Sequence, residues 1–213
     1  MPELDATLSA NRTVELELQD ERRLVREGYE LLDEKRVLLA TEMLRRLAVH
    51  RTLQADWMNR YRQARQMLGN ALAALGLEGV QLYPVLPRDL VIEAAPQRIA
   101  GVALKAIESA RLAPSSTAAP RAVWPSAAIE ACAVSFARVV ELAARIAAEE
   151  QNLRRLAREY VRTDRRARAL ENVLLPELDE ALRGVAEQLE YLDTEEAVRV
   201  HEAHRRMESQ RGT

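Results

Sequence analysis

Aromatic residues are scarce in this chain, which has 1 Phe, 2 Trp and 5 Tyr among its 213 residues. A compact core in a chain of this length normally depends on large aromatic side chains, so their scarcity argues against such a core. The hydrophobic residues, 48% of the total, are mostly Ala and Leu. Because Ala, Leu, Glu and Arg lose little side-chain freedom in a helix, this composition predicts long helices or a coiled coil.

Other absences exclude further classes of protein. The charges nearly cancel, with 31 Lys and Arg against 33 Asp and Glu, so the chain lacks the basic footprint of a protein that binds nucleic acid or anionic lipid. The single cysteine, Cys132, cannot form an internal disulfide. No apolar run approaches the roughly 18 residues needed to span a bilayer, and the first residues do not resemble a signal sequence. We therefore expect a soluble, intracellular protein with no nucleic-acid partner and no direct insertion into a membrane.

Patterns typical of enzyme sites are also missing. The sequence contains no P-loop, no glycine pattern of a dinucleotide site and no defensible Ser, His and Asp arrangement. His201 and His204 lie three residues apart, but this is not the spacing of the zinc protease motif, and their surroundings are polar. Cys132 fits a small packing residue better than a reactive thiol. We predict no catalytic residue, no cofactor and no metal site.

Helix-breaking residues divide the chain into three segments. Six of the eight prolines lie between residues 84 and 125, whereas the flanking segments contain few breakers. We predict an N-terminal coiled-coil helix at 12–75, a central insert with a hairpin and loops at 76–125, and a C-terminal coiled-coil helix at 126–211. Since neither long helix could be buried inside a globule of 24.0 kDa, the fold should be mainly all-α, with the two helices paired as a long antiparallel coiled coil.

Aliphatic residues recur at coiled-coil spacing in both long helices. In the C-terminal helix this seam changes its spacing after Leu174, in the manner of a stutter. Pro176 follows, and because proline lacks a backbone N–H and crowds the preceding turn, we expect a bend there. In the N-terminal helix two adjacent rows should form one apolar stripe: Leu18, Val25, Leu32 and Leu39, beside Leu24, Leu31 and Leu38.

The central insert contains short runs of β-type residues. We predict a hairpin that pairs residues 89–95 with residues 99–105 through a turn at 94–98, and a further β-type run at 80–83. Residues 113–121 have the composition of a flexible loop, and Ser126 is the predicted N-cap of the C-terminal helix. Since an isolated two-stranded ribbon is only marginally stable in water, the hairpin should pack on the coil or on a partner.

Two groups of residues are candidates for contact with a partner. Trp57 and Tyr61, together with Trp124 and Tyr83, lie near the junction of coil and insert, where they either anchor the insert or form a binding hot spot. An arginine-rich turn beside Asp164 and Glu171 is either a solvated face or a surface for the acidic loops of a partner. The arginines of this turn are Arg162, Arg165, Arg166 and Arg168.

Three blocks of sequence together point to a known family. The segment 163–178 holds the arginine-rich turn, then Ala-Leu-Glu-Asn, an aliphatic run and Pro176. The segment 24–36 has a Gly before Leu-Leu and a Lys-Arg pair, and Ile-Ala-Gly-Val stands at 99–102. In these blocks and in their order, the chain resembles the D subunit of the V-type and archaeal-type (A-type) rotary ATPases.

The resemblance implies a central rotor stalk. The paired terminal helices would penetrate the ring of catalytic A and B subunits, the insert would lie toward a membrane-side socket subunit, and the small F subunit of the stalk would bind the side of the coil. The stalk would transmit torque between the catalytic ring and the membrane ion-translocating ring during ATP synthesis or hydrolysis. The chain would be non-catalytic, cytoplasmic and peripheral to the membrane, with the turn from Arg165 to Arg168 contacting the catalytic ring.

Alternative functions remain open at this point. A coiled-coil scaffold or adaptor with no motor partner explains the heptads equally well, but it gives no reason for the hairpin or for the block around Pro176. A membrane-curving helical dimer would require a basic concave face, which the balanced charges disfavour. An enzyme would require a site that the sequence does not offer.

Overall fold

The computed structural model describes residues 11–84, 88–114 and 125–211. Helices dominate the described residues, and one antiparallel two-stranded hairpin lies between two long helical stretches, which confirms the predicted fold class. The order of elements is α1 (Arg12–Gln81), β1 (Arg88–Ile99), β2 (Val102–Pro114), α2 (Ala127–Ala169), a π-helical turn (Leu170–Leu174) and α3 (Leu175–Arg211).

The ends of α1 follow from local chemistry. At its start the Asn11 side chain accepts a hydrogen bond of 3.4 Å from the Thr13 N–H, as an N-cap does. Near its end Gly76 leaves helical geometry with φ 70° and ψ 171°, a conformation that glycine adopts at little cost. The helix then continues to Gln81, so the predicted β-type run at 80–83 is wrong.

The chain divides into two compact units. Unit 1 comprises Met1–Arg36 and Arg162–Thr213, and unit 2 comprises Val37–Val161. In unit 1, Leu18 of α1 is buried against Leu178 and Val185 of α3. The residues packed around this core are Val14, Val25, Ala181, Leu182 and Leu189.

Unit 2 has a core of its own, in which the hairpin takes part. Leu39 of α1, Leu104 of β2 and Leu156 of α2 are almost completely buried together. Ile99 and Val102, on either side of the hairpin turn, pack against this group. The hairpin therefore packs on the helices, as its marginal stability alone requires.

Only one of the two leucine rows of α1 contributes core residues. Leu18 and Leu39 are core residues, whereas Leu24, Leu31 and Leu38 are 60–68% exposed. The prediction of one combined stripe is therefore wrong. Residues one position apart lie about 100° apart around a helix, so a single neighbouring helix covers one row and leaves the other in solvent.

The hairpin is longer than predicted and turns elsewhere. The register pairs Arg88 with Pro114 and Ile99 with Val102, so the turn consists of Ala100 and Gly101 and not of residues 94–98. Both turn residues have positive φ, 49° and 83°, as the tight turns that match the twist of a hairpin require. The predicted pairing of 89–95 with 99–105 is wrong because the strand continues through Pro96 to this turn.

Side chains of α2 form hydrogen bonds with backbone N–H and carbonyl groups of β2. The Asn152 amide, 1% exposed, accepts a hydrogen bond of 3.0 Å from the Lys105 N–H and donates one of 2.7 Å to the Lys105 carbonyl. Glu141 accepts from the Leu112 N–H at 3.0 Å, and Arg155 donates to the Ala103 carbonyl at 3.1 Å. These bonds hold β2 along its length, so it extends into the predicted loop at 113–121, of which residues 115–121 lie outside the described residues.

Candidate partner interface

Asp164 organises the arginine-rich turn of unit 1. Its Oδ1 accepts a hydrogen bond of 3.1 Å from Nη1 of Arg36 in α1, and its Oδ2 lies 3.1 Å from Nε of Arg168 one turn later in α2. Asp33 bonds the other end of the Arg36 guanidinium. The hydrogen bond to Asp164, assisted by the negative charge of Asp33, raises the pKa of Arg36 above its usual value. The carboxylate thus joins two helices of unit 1.

The remaining arginines of the turn face solvent. Arg162, Arg165 and Arg166 are exposed, and none has an ion pair among the described residues. At about 100° per residue, these three lie within about 100° around α2, and Arg168 lies about 60° beyond Arg165. Three arginines of the predicted basic surface are therefore unpaired among the described residues, and the fourth, still exposed, is paired with Asp164.

Glu171 contacts α1 from the π-helical turn. Its negative charge is the largest cause of the raised pKa of the Tyr29 hydroxyl. At the neighbouring position, a Cβ added at Gly28 would lie 3.7 Å from Cδ1 of Leu170. The turn that contains Glu171 thus lies close to α1 at Gly28 and Tyr29.

The π-helical turn explains why the spacing of the seam residues is irregular. Successive seam residues Thr163, Leu170, Leu178 and Val185 are separated by steps of seven, eight and seven residues, and all are buried except Leu170, which is half-buried. The step of eight spans the turn, in which the Leu175 N–H bonds the Leu170 carbonyl five residues back. A π-turn holds an additional residue per turn, so it absorbs the additional residue without rotating the seam away from α1.

Pro176 lies directly after this turn, on the exposed side of α3. Proline has no backbone N–H, so an α-helix would already lack one hydrogen bond at this position. Widening the helix into a π-turn therefore breaks one hydrogen bond fewer here than elsewhere. Proline and the π-turn therefore occur together for a common physical reason. The bend expected at Pro176 stays a prediction.

The aromatic candidates lie in unit 2. The rings of Trp57 and Tyr61 are stacked, with centroids 5.2 Å apart and an angle of 4° between their planes. Nε1 of Trp57 is buried and has no hydrogen-bond partner among the described residues. The Tyr83 hydroxyl reaches Glu130 at 3.5 Å, and Trp124 lies outside the described residues.

One polar cluster was not among the sequence candidates. Arg46, 4% exposed, donates to Glu42 at 2.7 Å, to Glu149 of α2 at 2.9 Å and to Gln97 of β1 at 2.8 Å. It thereby joins α1, α2 and β1 within unit 2. The heptad spacing could have indicated this cluster. Arg46 follows the buried Leu39 by seven residues and therefore occupies the next seam position.

Known proteins match this chain over nearly its whole length. A family described as the D subunit of ATP synthase matches residues 15–205. The V-type ATP synthase D subunit of Thermotoga neapolitana is 30% identical over 185 residues, which cover 86% of this chain and 90% of that protein. The A-type ATP synthase D subunit of Pyrococcus furiosus is 27% identical over 209 residues, 94% of each chain. The chain belongs to the family of ATP synthase D subunits.

The family match confirms the resemblance found in the sequence. Each of the eight candidate contact residues lies inside the matched segment. The D subunit is one component of an ATP synthase complex. The family match does not identify which of its residues contact partners, so the candidate contacts stay predictions.

Two further observations describe this D subunit. Among the residues that the structure describes, no helix is long and apolar enough to cross a membrane, and no group of three or more His, Cys, Asp and Glu side chains could hold a metal ion. Cys132 is buried, and the desolvation that follows raises the pKa of its thiol. Since the thiolate is the reactive form, this thiol is suited to packing.

Proposed function

We propose that this D subunit is the central rotor stalk of a V/A-type rotary ATPase. In this role it transmits torque between the catalytic ring and the membrane ion-translocating ring during ATP synthesis or hydrolysis. Its partners are the catalytic A and B subunits, the small F subunit of the stalk and a membrane-side socket subunit. The chain is non-catalytic and lies in the cytoplasm, peripheral to the membrane. The family match over residues 15–205 carries this proposal.

The packing inside each unit suits the transmission of torque. In unit 1 the two helical stretches share an apolar core, and the ion pairs Arg22–Asp179 at 2.6 Å and Arg36–Asp164 at 3.1 Å connect them. In unit 2 the pair Arg46–Glu149 does the same at 2.9 Å. Because packed side chains and charged pairs resist sliding, a force that turns one helix of a unit also turns its neighbour.

The exposed arginines are the proposed contact with the catalytic ring. Guanidinium groups pair well with carboxylates, so Arg162, Arg165 and Arg166 would engage acidic loops of the A or B subunits. Glu171 and Pro176 follow these arginines in the sequence and would take part in the same contact. Trp57 and Tyr61 of unit 2 are a second proposed contact, for another subunit of the complex, because stacked aromatics are common interface anchors.

Charge reversal tests the arginine contact. We expect Arg165→Glu with Arg166→Glu to weaken the coupling of ATP hydrolysis to ion pumping in a complex reconstituted with all partner subunits. The matched control is Arg51→Glu with Arg65→Glu, which makes the same change of charge at two exposed positions of α1. Equal coupling in both double variants would reject the contact, although the rotor role itself could still hold.

Direct observation of rotation tests the rotor role and separates it from the alternative, a coiled-coil scaffold or adaptor with no motor partner. Leu82 is 83% exposed, whereas the native Cys132 is buried, so Leu82→Cys offers a selective site for a bead. With the catalytic ring fixed to a surface, the bead should turn in one direction when ATP is added. A bead that stays still on a ring that hydrolyses ATP excludes the rotor, and failure to co-purify with the ring favours the scaffold.

A further inference from the structure

The ion pair of Arg46 and Glu149 interrupts two rows of leucines where α1 meets α2 in unit 2. Each of the two residues has a leucine seven positions before it and another seven positions after it. These four leucines are Leu39 and Leu53 in α1, and Leu142 and Leu156 in α2. Three of them are at most 8% exposed, and Leu53 is half-buried. A spacing of seven keeps residues on one seam of a helix pair, so each helix carries one charge between two leucines.

Stability alone gives no reason for this ion pair. Arg46 is 4% exposed, and its three guanidinium nitrogens donate to Glu42, Glu149 and Gln97. The Glu149 side chain is 17% exposed. Because removing two charges from water offsets most of their attraction, apolar residues in place of a buried pair are often as stabilising or more so. The pair therefore calls for a role other than stabilisation.

A change of register between the helices would separate the two charges. If α1 slipped by seven residues along α2, in either direction, Arg46 would face one of the two α2 leucines and Glu149 one of the two α1 leucines. Each charge would then be buried without the other, which strongly destabilises a protein. Rows of leucine alone discriminate poorly against such a slip, since they repeat themselves every seven residues.

We propose that the pair of Arg46 and Glu149 selects the register of α1 against α2 in unit 2. A single polar position in an apolar seam fixes register in coiled coils at a cost in stability, and this pair has the same surroundings. A slip of one heptad would displace α2 by about 10 Å along α1. It would carry along Asn152, which holds β2, so the pair also determines where the hairpin lies on α1.

A distance between two spin labels on the full-length chain reports the register. The labels are attached at Leu44→Cys in α1 and Ala131→Cys in α2, both exposed positions, in a chain that also carries Cys132→Ala. Leu44 lies close to Arg46 in sequence, whereas Ala131 lies far from Glu149 along α2, so the labels are offset along the helix axes. A slip of one heptad therefore changes their distance by about 10 Å. The chain with its native pair should give one narrow distance in electron paramagnetic resonance.

Replacing both charges by leucine should release the register. In Arg46→Leu with Glu149→Leu the leucine rows are continuous, and a second distance should appear, shifted by about 10 Å. Glu42 keeps its hydrogen bonds from Arg45, and Gln97 is exposed, so both retain partners or solvent. The urea midpoint of unfolding should equal or exceed that of the native pair.

Two further variants separate this role from a structural one. Arg46→Gln with Glu149→Gln keeps side chains that can hydrogen-bond each other, so it should keep the single distance. The matched control is Arg22→Leu with Asp179→Leu, which removes an ion pair of unit 1 whose side chains are 43% and 45% exposed. It should also keep the single distance, because exposed charges that lose their partner are solvated by water.

Three outcomes would overturn the proposal. One is a single, unshifted distance in the leucine variant, whatever its urea midpoint. Another is loss of helix content in that variant by circular dichroism, because the pair would then serve stability. The third is a second distance in the control variant, since the register would then not depend on the buried pair. None of these outcomes bears on rotation, so the rotor role stands or falls separately.

Discussion

The carboxylate of Asp164 in α2 accepts a hydrogen bond of 3.1 Å from the guanidinium of Arg36 in α1, across 128 positions of sequence. The same carboxylate lies 3.1 Å from Arg168. One side chain thus connects two helices in unit 1 and partly neutralises the charge of one exposed arginine of the basic turn. Its removal has a structural and an electrostatic consequence.

Replacing Asp164 should destabilise the chain and add positive charge to the turn. In Asp164→Ala, Arg36 keeps Asp33 but loses its partner across the helices, and Arg168 loses its carboxylate. We expect the urea midpoint of unfolding to fall further than in Glu195→Gln, which breaks an exposed pair with Arg199 that contributes little. Equal midpoints for the two variants would show that the link across the helices contributes nothing.

Replacing Asn152 should release part of the hairpin. Asn152→Ala leaves the N–H and the carbonyl of Lys105 without their partners, and each buried unsatisfied group costs about 1–3 kcal/mol. Hydrogen exchange should therefore show faster exchange of the Lys105 amide, and the free energy of unfolding should fall by about 2–6 kcal/mol. Gln151→Ala, at the exposed neighbouring position, is the control and should change neither measurement.

A single-residue deletion should be tolerated in the π-turn and not elsewhere in unit 1. Deleting Val173, which is half exposed, removes the additional residue, so Leu178 and Val185 stay in the seam and the turn becomes α-helical. Deleting Glu180 instead rotates the residues that follow by about 100° and moves Val185 out of the core, at a cost of about 3 kcal/mol. Urea unfolding distinguishes the two. A deletion at 173 as harmful as that at 180 would contradict the role assigned to the turn.

Cys132 should resist modification in the folded chain. Its burial raises the pKa of the thiol above its usual value near 9.0, so the thiolate fraction at pH 8 is smaller than in an unfolded chain. With a local opening free energy of about 3 kcal/mol, reaction with a maleimide should be roughly a hundredfold slower than in urea. The rate should rise with pH beyond pH 9. Rapid native labelling at pH 8 would show that the site is open.

The charge of Glu42 should contribute to stability at neutral pH. Hydrogen bonds from Arg45, and then from Arg46, hold its pKa below its usual value near 4.5. Because the folded value is lower than the unfolded one, the contribution is complete above the unfolded pKa and is lost as the pH falls through the folded pKa. The stability difference between wild type and Glu42→Gln should therefore be largest near pH 7 and shrink toward pH 3 in urea titrations. A difference independent of pH would show that the charge is not involved.

The helices, their antiparallel pairing and the presence of a hairpin could be predicted, because the proline positions and the heptad period are properties of local sequence. The choice between two adjacent leucine rows could not, since Leu24 and Val25 differ little in character and only the neighbouring helix decides which is buried. The extent of β2 was missed because Asn152 and Glu141, far away in sequence, supply its hydrogen bonds.

The candidate site was predictable to a similar degree. The pair of Asp164 and Arg168 has the i, i+4 spacing of a helical ion pair, which the sequence displays. The link to Arg36 depends on how two distant segments align, and no local pattern encodes it. The step of eight residues between Leu170 and Leu178 is the sequence sign of the π-turn. A stutter produces the same spacing, so only the structure distinguishes a π-turn from a stutter.

The side chains that hold β2 against α2 also affect how the chain behaves before any partner binds. A hairpin has two edges, and exposed edges are where strands of different molecules join and aggregate. Asn152, Glu141 and Arg155 occupy the β2 edge, which leaves β1 as the side open to such pairing. In β1, Pro96 lacks an N–H, and the pairing with β2 shifts its register between Glu93 and Ala94. The open edge of the hairpin therefore has no long regular stretch with which a second molecule could pair.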